Sequence, residues 1–193
     1  MLQFEEMSLL KIIFVTSNLN KATEVAQILG SFRINVEHVD LRLAEIQSDS
    51  LEEVAEASAL EAANRVGRPV IVEDSGLFIK SLNGFPGPFS SYVQKTIGNK
   101  GVLRLMEGID DREASFRSVV AYCDEKRKAL SFTGDVAGKI SYEEKGEVWA
   151  FDPIFIPDQN GDKTYAEMGP VEKNRISHRR RALEKFAKWY SKT

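Results

Sequence analysis

Cysteine occurs once in this chain, at Cys123, so an internal disulfide framework is excluded, and two histidines are too few for an ordinary zinc site. Any metal is therefore a hard, oxygen-ligated ion, which means carboxylates and phosphates around Mg²⁺ or Mn²⁺. Long apolar runs are also missing. The longest near the start, Leu9 to Val15, is broken by Lys11 and is too short to cross a bilayer. The acidic pair Glu5-Glu6 does not suit a secretory leader, so the expectation is a cytoplasmic protein with no membrane partner. Internal repeats, low-complexity tracts and the glycines of a P-loop are absent. What is present is 193 residues with 42% apolar and 28% charged content, enough for a sizeable core in one α/β domain or two closely packed lobes.

Positive charge is concentrated at one end. Between 170 and 193 there are eight Lys/Arg against Glu172 and Glu184, a local net of +6 in a chain of net −3. An acidic body with a basic final segment is not a nucleic-acid-binding composition as a whole, although that segment is suited to meeting phosphates.

The chain is organised around Val70-Ile71-Val72-Glu73-Asp74-Ser75-Gly76. Three β-branched residues after a proline read as a short buried strand, and Ser75-Gly76 reads as the turn that ends it. Alternation sends Glu73 and Asp74 to opposite sides, so one of them faces a cleft at the strand end. An acidic turn with no function is the competing reading.

Earlier, Lys11 to Val15 reads as a strand and Thr23 to Leu29 as a helix stopped by Gly30, joined by Thr16-Ser17-Asn18-Leu19-Asn20-Lys21. Such a junction offers backbone N–H groups and a positive dipole end to an anion, with Lys21 adding a charge; alternatively Asn18 or Asn20 simply caps the helix. A second strand spans about Asn35 to Val39. Ser50 caps a long helix, Leu51 to Val66, with Glu53 at the capping-box position, and Glu45 lies in the loop before it. Asn83 to Phe89 is a rigid Gly/Pro loop in which Phe85 packs on the core, and Ser90 to Met106 is helical with a break near Gly98.

Ser115–Cys123 and Ala129–Val136 form an antiparallel hairpin, turned at 124–127, in a β-rich region of about 114–150 that contributes to a second lobe. Trp149-Ala150-Phe151-Asp152-Pro153 fits either a platform that stacks a planar ring while Asp152 reads its edge, or two inward-packing aromatics. In Ser177-His178-Arg179-Arg180-Arg181, Ser177 is an N-cap and the cations oppose the macrodipole. They call for a compensating anion, either a neighbouring acid or a bound phosphate.

These motifs stand in a familiar order: Thr16-Ser17-Asn18 with Lys21; Glu45-Ile46-Gln47; Glu73-Asp74-Ser75-Gly76-Leu77; Phe85-Pro86-Gly87; Phe151-Asp152-Pro153; Thr164 to Met168; Glu172-Lys173-Asn174; and Ser177-His178-Arg179. In this the chain resembles the inosine/xanthosine triphosphate pyrophosphatases, the Ham1-like family of noncanonical purine NTP pyrophosphatases, from Lys11 to about Phe186. The resemblance implies an elongated α/β fold with a mixed twisted sheet, flanking helices and two lobes around a nucleotide-binding cleft, within a single domain over 1–193. It implies hydrolysis of ITP, dITP and XTP to the monophosphate and pyrophosphate, with Mg²⁺ (or Mn²⁺) as cofactor and a homodimeric state.

By the same resemblance, Thr16, Ser17, Asn18, Leu19, Asn20 and Lys21 hold the triphosphate with Ser75, Lys173 and Arg179. Glu45 and Asp74 serve the metal, and Asp74 orients or deprotonates the attacking water. Trp149, Ala150, Phe151 and Asp152 cradle the base, with His178 and Arg179 near its 6-oxo group. Two departures stand out. Ala150 replaces the glycine usual before the aromatic-Asp-Pro step, and the helix from Ser50 to Asn64 lacks the lysine that many relatives carry there, so another cation has to supply that charge. The alternatives are a related triphosphatase of different base preference and a non-catalytic phosphate- or nucleic-acid-binding module.

Overall fold

The computed structural model describes residues 10–193 apart from Glu45 and Arg127. Strand β1 (Leu10–Val15) lies between two parallel neighbours, β2 (Ile34–Val39) and β3 (Val70–Ile79). Helices α1 (Leu19–Gly30) and α2 (Leu51–Val66) make the crossovers. Alternation along β1 sends Ile12 and Phe14 to one face, against Val25 and Ile28 of α1. Ile13 and Val15 go to the other face, against Leu51, Ala55 and Ala59 of α2. The α2 boundaries are the expected Leu51 and Val66: Ser50 caps the start by accepting the Glu53 N–H, and Gly67 closes the end at φ 70°. The capping box is only half made, because the Glu53 carboxylate accepts from the Ser48 hydroxyl (2.6 Å) instead.

Strands β5 (Glu113–Cys123) and β6 (Ala129–Ile140) form the expected hairpin, longer only at the open end away from the turn than the apolar pattern implied. β5 pairs with β3 along its whole length, from Val70 opposite Cys123 to Ile79 opposite Ala114, and the sheet order is β2-β1-β3-β5-β6-β7. Here β7 is Phe155–Pro157, and β4 (Pro86–Gly87) pairs with the far half of β3.

The turn expected at Ser75-Gly76 is therefore not there. β3 continues because β5 offers a partner to each residue, Ser118 to Ser75 and Arg117 to Gly76. Glycine is needed at 76 for a different reason: a Cβ there would run into the carbonyl oxygen of Gly87 on β4. Phe85, expected on the core, is 38% exposed.

On β3 the face that carries Ile71 also carries Glu73, Ser75, Leu77 and Ile79. Ile71 joins the core beneath α1 and α6 (His178–Tyr190). Leu77 and Ile79 join a second core formed with α3 (Ser90–Thr96), α4 (Gly98–Leu105) and α5 (Tyr165–Ile176), and with Phe116, Phe151 and Phe155. Glu73 and Ser75 thus sit at the seam where two apolar clusters meet on one sheet face. Asp74 points to the opposite face, the one that carries Val72 and α2. Among the described residues, no helix is long and apolar enough to cross a membrane.

Candidate active site

At the seam six charged side chains alternate in sign. Lys21 Nζ is 3.0 Å from Glu73, and Arg179 stands 3.3 Å from both oxygens of the same carboxylate. Arg179 also donates to Glu24, whose other oxygen receives Lys173 Nζ at 3.1 Å. Lys173 then reaches Asp152 at 2.6 Å. The Ser118 hydroxyl donates to Glu73 (2.6 Å), and Arg179 donates to Ser75 Oγ (3.3 Å). Arg179 is 1% exposed, Lys173 and Asp152 are each 3%, and Glu73 is 7%, so these charges are tolerated only because each has an opposite neighbour.

Protonation follows from the same arrangement. Burial alone would raise Glu73, but Arg179 and Lys21 outweigh it and hold the carboxyl far below its usual range. Glu24 is likewise lowered, with Arg179 and Lys173 overcoming desolvation. In Asp152 burial prevails over Lys173 and the carboxyl is raised. His178 is 2% exposed, and burial, reinforced by Arg179 and Lys173, drives it well below its normal value, so the ring is neutral. It lies flat on Phe116, with centroids 4.5 Å apart and planes 8° from parallel, and its Nδ1 has no partner among the described residues.

The seam opens into a cleft of about 950 Å³. Thr16, Ser17, Asn18, Lys21, Asp74, Ser75, Trp149, Ala150, Phe151, Asp152, Lys173, His178 and Arg179 all line it, so most of the residues read from the sequence are brought together. Leu19 and Asn20 are not; they lie on the exposed start of α1. The helix-start amides expected to face an anion are partly engaged, because the N–H groups of Asn20 and Lys21 donate to Asn18 Oδ1 at 3.0 and 3.2 Å. The anions called for by Arg179 are Glu24 and Glu73, so the compensating group is a neighbouring acid.

The aromatic segment divides. Phe151 is 2% exposed and belongs to the core, while Trp149 is half-buried, its ring 5.3 Å from Lys173 Nζ and 5.8 Å from the Arg179 guanidinium. Ala150 between them has φ 60°, the left-handed region that glycine adopts freely.

Sequence reading missed Glu24, Phe116 and Ser118. Glu24 carried a signal: with Lys21, Val25 and Ile28 it shares the inward stripe of α1, where a charge is out of place. The basic end, by contrast, is used for docking α6. Arg181 donates to the Asp135 carbonyl and Lys185 to that of Thr133 (both 2.6 Å), while Lys188 pairs with Glu184 at 2.8 Å.

Asp74 is half-exposed at the cleft, and its Oδ1 accepts from the Ser75 N–H at 2.9 Å. Oxygen donors that line the same cleft include Thr16, Ser17, Asn18, Ser58, Ser75 and Ser91. All-oxygen donors suit Mg²⁺, and among the described residues no group of three His, Cys, Asp or Glu forms a complete cage. That combination fits an ion held by one or two carboxylates and completed by phosphate oxygens. Glu45, the other expected ligand, lies outside the described residues. A second hollow of about 880 Å³ at the far end of β5 and β6 offers less chemistry. There Lys80 pairs with Asp111 and Glu113, and Arg112 donates to the carbonyls of Met106, Ile140 and Ser141.

A sequence model of the Ham1 family matches residues 12–189. The dITP/XTP pyrophosphatase of Methanopyrus kandleri is 53% identical over 182 residues, spanning 94% of this chain and 96% of that protein. The dITP/XTP pyrophosphatase of Methanothermobacter marburgensis is 49% identical over 183 residues, 94% of this chain and 97% of that one. Among solved structures, a HAM1 protein from Coxiella burnetii superposes with a TM-score of 0.81 at 32% identity, covering 95% of this chain and 100% of that one. The Staphylococcus aureus Ham1 protein gives 0.80 at 27%, covering 94% and 98%.

Proposed function

The chain belongs to the Ham1 family, and from that premise we propose that it hydrolyses the noncanonical purine nucleoside triphosphates ITP, dITP and XTP to the monophosphate and pyrophosphate. The observation that carries this reading is the division of two adjacent carboxylates. Glu73 is tied into the buried cation network, whereas Asp74, half-exposed on the opposite face of β3, lines the cleft.

In this reading Asp74 and Glu45 hold a Mg²⁺ ion, with Mn²⁺ a possible substitute. An ion held there would supply positive charge to offset that of the phosphates. Asp74 aligns water with the α-phosphorus; the new P–O bond forms as the bond to the α,β-bridging oxygen breaks and pyrophosphate leaves. A carboxylate beside a cation stays ionised and is a modest base, so positioning outweighs proton abstraction. Thr16, Ser17 and Lys21 orient the phosphates from the β1–α1 junction.

At the other end, Trp149 offers a ring face to the base. The neutral His178 keeps one N–H, and a donor there suits the 6-oxo group of hypoxanthine or xanthine, whereas adenine would set its amino group against it. The buried network of Lys173, Arg179, Glu24 and Asp152 supports this end by fixing α5 and α6 in register. A cytoplasmic location and a homodimer accompany the family reading.

Incubation with ITP, XTP, dITP, GTP and ATP in the presence of Mg²⁺, with products resolved, tests the proposal. Monophosphate and pyrophosphate from the oxo purines supports it. Nucleoside diphosphate and orthophosphate overturns it.

A further inference from the structure

Cations that line the cleft fall into two sets. Lys21, Lys173 and Arg179 are each matched to Glu73, Glu24 or Asp152, three cations against three carboxylates. Arg42 and Lys95 line the same cleft, and among the described residues neither has a carboxylate within ion-pair distance. The matched set brings little net charge to an arriving polyanion, since each charge is already neutralised by its neighbour.

The two unmatched cations stand on rigid supports. Arg65 of α2 donates to the Arg42 carbonyl at 2.9 Å, and the Ala44 N–H donates to Glu61 of α2 at 3.0 Å, so the segment bearing Arg42 is fastened to that helix at two points. Lys95 lies on α3, whose first residue Ser90 is buried; its hydroxyl donates to the Gly87 carbonyl (2.8 Å) and accepts from the Leu77 N–H (2.9 Å). Both side chains are exposed, so they remain free to swing onto a ligand. The α2 wall between them contributes Val54, Ala55 and Ser58, and no Lys or Arg occurs from 50 to 64. Asp74 projects towards this same side.

We propose that Arg42 and Lys95 are the pair of cations that receive the terminal phosphates and hold the departing pyrophosphate, in place of a charge on α2. Negative charge on pyrophosphate grows as the bridging bond breaks, and unmatched cations respond to that growth more than cations already paired. Arg42 presents a fork that takes two phosphate oxygens, and Lys95 a point charge on a flexible stem. The inference rests on the nucleotide-pyrophosphatase reading.

Arg42→Gln, Lys95→Gln, the double variant and Lys95→Arg, with Lys188→Gln as a control for loss of one surface charge, separate the possibilities. Three quantities are compared: the KM for ITP, inhibition by pyrophosphate, and inhibition by IMP. The expected result is a rise of about tenfold per glutamine variant in KM and in the pyrophosphate inhibition constant. IMP inhibition stays as in the wild type, Lys95→Arg restores most of the loss, and Lys188→Gln changes nothing.

Unchanged pyrophosphate inhibition, or an equal loss for IMP, overturns the inference while leaving the pyrophosphatase reading intact. If the wild type releases no pyrophosphate from ITP, that reading fails instead. Calorimetric titration with Mg²⁺-tripolyphosphate then decides the inference directly: weaker binding by the glutamine variants supports it and equal binding refutes it.

Discussion

Gly134 of β6 lies directly beneath the carbonyl of His178, and a Cβ built on it would run into that oxygen and into the Ala182 amide. The first turn of α6 therefore rests on bare sheet backbone at this point, one strand away from Ser118, which Gly134 faces in register. This close approach is what lowers Arg179 to Glu73 and sets His178 flat on Phe116. Gly134→Ala is expected to lift α6, because the obstructing atoms are backbone and cannot turn aside. Overpacking of this kind costs about 1–3 kcal/mol. Urea unfolding should report that loss, and turnover of ITP should fall further than the loss of folded protein explains. A variant with unchanged stability would remove the contact from the account.

The pair Glu73 and Asp74 gives opposite expectations for the same chemical change. Asp74→Asn should leave stability within about 1 kcal/mol, since the residue is half-exposed, and reduce kcat by about 10²–10⁴-fold. Glu73→Gln removes the carboxylate that faces Lys21 and Arg179 in the interior, a loss of about 3–5 kcal/mol. Stability and single-turnover measurements on the two variants check the contrast. Equal destabilisation by both would show that they do not face different environments.

Much of this arrangement was legible in the residues. Alternation predicted that Glu73 and Asp74 part company, Ser50 caps α2, and Ser177 caps α6 by accepting the Arg180 N–H at 3.1 Å. The motifs converged on one cleft because strand ends and helix starts gather there. What could not be read was long-range. The anion that Arg179 called for stayed open between an acid and a phosphate, because Glu24, which it shares with Lys173, lies 155 and 149 positions away from the two in the chain. Ser75-Gly76 looked like a turn because local composition says so, and only the register of β5 overrides it. Ala150 was visible as a departure, but its positive φ was not.

Acid should destabilise the protein through His178. The unfolded imidazole takes up a proton near pH 6.5, whereas the buried one, kept low by desolvation and then by Arg179 and Lys173, refuses it. The unfolded state then binds more protons, so stability falls as pH drops below about 6.5, by about 1.4 kcal/mol per pH unit. Glu24 and Glu73 act in the same sense at lower pH. Their folded-state values are depressed, so their contribution is complete above the ordinary carboxylate range and is lost as pH falls through it. Asp152 opposes them, because its carboxyl is raised by burial and protonation there favours the folded form. Urea unfolding between pH 5.5 and 8 should show the fall, and His178→Gln should flatten it. An unchanged slope in that variant would assign the pH dependence to another group.

Ala150 holds φ 60° between the half-buried Trp149 and the core residue Phe151. A left-handed conformation costs an L-residue about 1–2 kcal/mol, which glycine avoids. Glycine also has more freedom to lose on folding, about 0.4–1 kcal/mol against alanine. The two effects oppose each other, and the first is larger, so Ala150→Gly is expected to raise stability by up to about 1 kcal/mol. Ala150→Val adds a β-branch to the same strained backbone and should lower it by about 1–3 kcal/mol. Because Ala150 also lines the cleft beside Trp149, the glycine variant should change the KM for ITP more than kcat. Unfolding midpoints for both variants, read beside steady-state kinetics, test the assignment. If valine were tolerated as well as glycine, the positive φ would not be imposed by the fold, and the spacing between the tryptophan and the buried phenylalanine would have to be maintained by the flanking segments instead.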